Sequence, residues 1–184
     1  SSNLKEIFKM IFPEFLYLDR LERLQKEYKQ SELNRDILLG ILLIDEKDNH
    51  EYFLHKYNVS NDLKEELNLI GKNFINFKSN KKFFQKDLKK NIYFFGKKHL
   101  ITLNMLYFSS DKKIKVKEYL DILSSINKTE IPKFIFDGSY LKQKGMKEGI
   151  LIGKTLQLIE SEWLDNDFKI SNDRVLNIIK SQNN

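Results

Sequence analysis

Four of the chain's seven glycines, Gly138, Gly145, Gly149 and Gly153, fall within sixteen residues. A glycine inside a helix costs roughly 0.5–1 kcal/mol relative to alanine. A run of them fits a stretch where the backbone must turn left-handed or where another group must come close. A helix start also presents N–H groups without intrahelical partners, and its dipole favours an anion. Lys142, Lys144, Lys147 and Lys154 surround these glycines. Backbone donors with ammonium groups beside them suit an RNA phosphate. The same run also reads as a glycine-assisted turn between two packed helices, and residue type and spacing leave both readings open.

Other clusters were weighed for chemistry. Lys112, Lys113, Lys115 and Lys117 crowd the start of an expected helix from Ile114. Cations there oppose the helix dipole, which an RNA backbone would offset; the competing reading is a solvated lysine face. Lys97, Lys98 and His99 form a second basic cluster with the same two readings. Asp165-Asn166-Asp167 looks like a two-metal carboxylate pair, and Gly138-Ser139 stands upstream. Such a pair works on a strand shortly after Gly-Ser, because alternate residues there share a face and can grip two Mg²⁺ ions. Here the aspartates end a helix, far from Gly138, so no catalytic role is assigned. His50 and His55 are five apart and diverge on a helix, so no metal site is assigned either. No serine or threonine has a recognisable base beside it, and there is no cysteine.

The elements that must hold these residues read as helices. Leu4–Ile11 is a short one, stopped by Pro13. Helices are then expected over 14–28, over 37–44 with Asn34 as cap, over 50–57, and from a Ser60 cap through Phe77. Further ones are expected over 81–90, 100–108 and 114–126. Only 133–136 looks extended. Asp137 should cap a short helix carrying Tyr140 and Leu141, Gly145 should end it in the left-handed conformation, and Gly149 should open the next. There Ile152, Leu156, Ile159 and Trp163 form one apolar face, and Trp163 and Phe168 are expected in the core. The expected fold is all-α with about ten helices: the end of a neck over 1–14, a body over 15–127, and a small tail over 128–184. The polar segment from Asn127 to Pro132 marks the last boundary.

The 184 residues are 41% hydrophobic, enough for a globular core. A net charge of +6 suits a polyanionic partner. Lysine far outnumbers arginine and Ile, Asn and Phe abound, which an AT-rich coding sequence would also produce. The placement of the charge is therefore more informative than its sum. No apolar run reaches the roughly 20 residues of a membrane span. Without cysteine there is no disulfide or thiolate metal site, and a cytoplasmic setting fits. The opening Ser1-Ser2-Asn3 does not look like a translation start, so an excised fragment is expected.

Phe136-Asp137-Gly138-Ser139-Tyr140-Leu141, then Gly145, Gly149, Gly153, Leu156, Glu160, Trp163 and Phe168, resemble the C-terminal tail of class II CCA-adding enzymes and bacterial poly(A) polymerases. Ile11-Phe12-Pro13-Glu14 with Leu21-Glu22-Arg23-Leu24 resembles that family's passage from neck to body, and the stretch from Leu54 to Ser60 resembles part of its body. Tyr140 departs from the family's usual Asp, and Ile150 from its usual Pro. The resemblance implies a tRNA nucleotidyltransferase or poly(A) polymerase, a transferase of tRNA processing that uses Mg²⁺ and CTP or ATP in a catalytic head absent from this chain. The body and tail would hold the acceptor and TΨC arm of tRNA, and this chain alone would be inactive and cofactor-free. The RNA-binding residues expected are Gly138, Lys142, Gly145, Lys147, Gly149, Gly153 and Lys154 in the tail, with Lys112, Lys113 and Lys115 in the body. The rival expectation is a structural or protein-interaction helical domain with incidental basic charge.

Overall fold

The computed structural model describes residues 6, 7, 10–15, 17–25, 35–80 and 82–183. The expected Asn34 cap, Lys81, the far end of the 14–28 helix and the first residues of the neck lie outside that set. The fold is all-α, with no strand among the described residues. Nine helices run in order: α1 Leu18–Gln25, α2 Arg35–Leu43, α3 Asn49–Lys56, α4 Asn61–Ser79, α5 Leu88–Ser110, α6 Val116–Lys128, α7 Gly138–Gln143, α8 Ile150–Asp165 and α9 Asn172–Asn183. They form two compact units, Ser1–Thr129 and Glu130–Asn184. None is long and apolar enough to cross a membrane.

In the first unit α5 is the central helix, packed against α1, α2, α4 and α6. Leu24, Ile37, Ile41, Met105, Phe108, Ile114 and Tyr119 make one core around it. The Ser60 hydroxyl accepts from the Leu63 N–H at 3.4 Å, and Leu63, Leu67, Ile70, Phe74 and Phe77 bury one face of α4 at the expected spacing. Arg20 is buried and closes α2, donating from Nη1 to the carbonyls of Ile41 at 3.0 Å and Ile44 at 2.6 Å.

Two expected helices are drawn differently. Residues 82–87 are turns, and α5 starts only at Leu88. Asn80 Oδ1 accepts from the Lys82 N–H and Asn91 Nδ2 donates to the Phe83 carbonyl, offering the backbone an alternative to helix. Phe83 and Phe84 are thereby buried against Phe77. The segment expected over 100–108 is the second part of α5, which turns at Gly96 with φ 77° and ψ 159°. That left-handed residue divides what would otherwise be one straight helix.

The second unit is a small core of Phe136, Leu141, Met146, Ile152, Ile159, Val175, Ile178 and Ile179. It is drawn from α7, α8 and α9 and from the irregular segment 129–137, where the expected extended stretch pairs with no strand. Trp163 packs edge-on against Phe168 and tilted against Phe134, and both Trp163 and Phe168 are buried.

Candidate nucleic-acid interface

The glycine segment joins α7 to α8. Asp137 Oδ1 accepts from the Tyr140 N–H at 2.8 Å, so the expected cap forms although Tyr140 replaces the family's usual Asp. Gly145 ends α7 at φ 92°. The Met146 N–H bonds back to the Leu141 carbonyl at 3.1 Å, and Met146 enters the core beside Leu141. Gly149 is the N-cap of α8 at φ 145° and offers no side-chain cap. The first N–H groups of α8 therefore open toward the surface without a capping side chain. Ile150, where the family usually has Pro, is the first residue of α8 and is exposed.

The glycines divide by what surrounds them. A Cβ on Gly138 would meet Ile152 Cγ2 at 3.4 Å, so Gly138 lets α7 pack on α8. A Cβ on Gly145, Gly149 or Gly153 would meet nothing within 4 Å, and all three residues are exposed. The positive φ of Gly145 and Gly149 accounts for those two. Gly153 sits within α8, has no such backbone requirement and touches nothing.

An open groove of about 610 Å³ lies against this segment, lined by Gly145, Lys147, Glu148, Gly149, Ile150, Leu151 and Asn183. Lys147 and Lys154 are exposed. Lys142 instead donates to Glu148 Oε1 at 2.5 Å, and that contact holds the Glu148 carboxyl below its usual range. A carboxylate thus stands at the groove and engages one of the expected cations. The sequence signal was present, since Glu148 is adjacent to Gly149, but the Lys142 pairing depends on the α7 turn. Lys144 leans over the Tyr140 ring, 5.6 Å from its centroid.

In the first unit, Lys112 and Lys113 lie in the turn before α6, Lys115 is its N-cap and only Lys117 lies within it. All four are exposed, while Ile114 between them is buried. The turn is held from α1, where Arg23 donates to the carbonyls of Asp111 and Ile114 and stacks over Phe108. The Lys97–His99 cluster comes apart. Lys97 donates to the Asn127 carbonyl at 2.7 Å, and His99 is buried with Nε2 3.0 Å from Asn73 Nδ2. Asp165 is the last residue of α8, and no group of three or more metal-ligating side chains occurs among the described residues.

Protein-family models, curated proteins and solved structures were all compared with this chain, and none matches it.

Proposed function

We propose that the chain is an RNA-binding portion of a nucleotidyltransferase that extends RNA 3′ ends, a CCA-adding or poly(A)-adding enzyme. In this reading its tail and body grip the acceptor and TΨC arm of tRNA. The family rests on the resemblance of the tail and neck residues. The catalytic head, with Mg²⁺ and CTP or ATP, belongs to another part of the polypeptide.

The observation that carries the reading is Gly153. An exposed glycine inside a helix, with ordinary helical backbone and nothing within 4 Å of its missing Cβ, gives up roughly 0.8–1 kcal/mol against alanine and gains no packing. Only a group from outside the unit accounts for it. The open start of α8 and the exposed Lys147 and Lys154 suit that group to be a phosphate.

The test is tRNA binding across a salt series. With roughly three to five phosphates neutralised, log K falls with log salt at a slope of about −3 to −5. Lys154→Glu and Lys147→Glu each weaken binding several-fold and leave the melting temperature nearly unchanged, since surface charge swaps move stability by less than about 0.5 kcal/mol. Salt-independent binding, or two silent variants, removes the glycine segment from any RNA site. The chain alone adds no nucleotide to a tRNA lacking its 3′ end when given CTP, ATP and Mg²⁺.

A protein-interaction domain is favoured by one feature, the exposed Ile150, Leu151 and Leu158 on the outer side of α8 with Lys154. In that reading Leu158→Asp abolishes association with a partner protein and leaves tRNA binding intact.

A further inference from the structure

A second cavity lies wholly within the first unit, away from the glycine segment. It encloses about 680 Å³, within the range of small-ligand sites. Its apolar wall is Phe77, Phe84 and Tyr107, with Phe77 edge-on to Tyr107 at 4.4 Å and packed on Phe84 at 4.7 Å. Lys115 and Lys117 line the side formed by the start of α6. Lys115 supplies no side-chain cap there, so the first N–H groups of this thirteen-residue helix are free of capping and add positive potential to that of the ammonium groups. Glu118 and Asp121, one and two turns into α6, put carboxylates on the same cavity.

We propose that this cavity binds one nucleotide unit, an amino-bearing base with its phosphate. The phosphate sits at the α6 start between Lys115 and Lys117. The base enters against the aromatic wall, where stacking and edge contacts tolerate any base. Asp121 then accepts from an exocyclic amine. Cytosine and adenine offer that amine where uracil offers a carbonyl, so the site discriminates against uracil. Glu118 is partly committed, since it accepts from the Tyr107 hydroxyl at 3.4 Å, which leaves Asp121 as the reader. The source is either a free nucleoside monophosphate or one residue of a single strand, and both present the same chemistry.

The test is amide NMR on the whole chain, titrated with inorganic phosphate, AMP, CMP and UMP, and with the trinucleotides A3, C3 and U3. AMP and CMP shift Tyr107, Lys117, Asp121 and Ile122 saturably and bind about fivefold tighter than UMP, the worth of one hydrogen bond. Asp121→Asn erases that preference while phosphate still binds. Lys117→Gln weakens phosphate and every nucleotide alike. Trinucleotides binding at least about tenfold tighter than monophosphates identify a strand as the occupant, and equal affinities identify the free nucleotide. Lys154→Glu in the tail leaves these shifts unchanged, which separates this site from the glycine segment. Equal shifts with phosphate and all three nucleotides reduce the cavity to a plain anion site and overturn the proposal. So does the absence of saturable shifts around Tyr107 and Asp121.

Discussion

A Cβ built on Gly71 would lie 2.7 Å from Nε2 of His50 and 2.8 Å from its Cε1. The space of the missing side chain is filled by the edge of a buried imidazole, which lets α3 approach the backbone of α4. Both residues are buried, so neither can yield to solvent. Gly71→Ala should therefore destabilise the first unit although alanine is the better helix former. Overpacking costs about 1–3 kcal/mol and the propensity gain returns at most about 1. Urea unfolding checks this, with a lower midpoint at unchanged m expected. A midpoint equal to or above the parent's would show that His50 moves aside freely.

The same imidazole gives the stability a pH dependence, shared with His99. Burial pushes both below the ordinary value of 6.5, against the opposing pull of Glu66 at 3.8 Å from His99 Nδ1. Above 6.5 folded and unfolded chains both hold neutral rings and the full stability is present. As pH falls through 6.5 the unfolded chain takes up protons that the folded chain refuses, and stability declines down to the folded values. Glu14 is held low by its hydrogen bond from Lys56, so its contribution is lost only below the usual carboxylate value of 4.5. Chemical denaturation at steps between pH 7.5 and 5 should show the histidine decline first. His99→Gln, which can still meet Asn73, should reduce its slope, and an unchanged slope would assign the decline elsewhere.

Much of the fold was legible because the chain repeats one signal, an apolar face at helical spacing. That signal placed Leu63 to Phe77 on the buried side of α4, and Ile152, Ile159 and Trp163 on that of α8. Capping chemistry is local, so Asp137, Gly145 and Gly149 were legible too. What failed was nonlocal. The 82–87 turn depends on Phe83 and Phe84 finding Phe77, and residues 81–90 alone read as helix. The Lys112–Lys115 turn is set by Arg23, about ninety residues earlier in the chain. His99 reads as basic beside Lys98, yet its surroundings come from α4. Charge pairing was hidden in the same way, since Lys142 meets Glu148 only across the α7 turn.

That pairing makes a prediction opposite in sign to those for the lysines. Glu148 stands at the groove, repels an anion and occupies Lys142. Glu148→Gln should tighten tRNA binding and steepen its salt dependence by about one phosphate contact's worth of slope. Stability should barely change, because exposed ion pairs contribute about 0–1 kcal/mol. Fluorescence anisotropy with labelled tRNA at several salt concentrations reads both quantities. Weaker binding in this variant would mean that Glu148 positions Lys142 for the RNA.

Gly153 gives the sharpest separation of a folding role from a binding role. Its three companions in the segment have reasons within the unit: Gly138 faces Ile152 at close range, and Gly145 and Gly149 hold φ of 92° and 145°. Gly153 has none. Gly153→Ala should raise the stability of the tail by about 0.8–1 kcal/mol, the gain from removing glycine from an exposed helix interior. If a phosphate approaches α8 there, the added methyl should at the same time weaken tRNA binding, and Gly153→Leu should weaken it further without unfolding the chain. Thermal unfolding and tRNA affinity measured on the same preparations give the two readouts. A variant that is more stable and binds tRNA as well as the parent would show that nothing approaches the helix at this point. Higher stability with weaker binding is the signature of a backbone kept bare for a ligand.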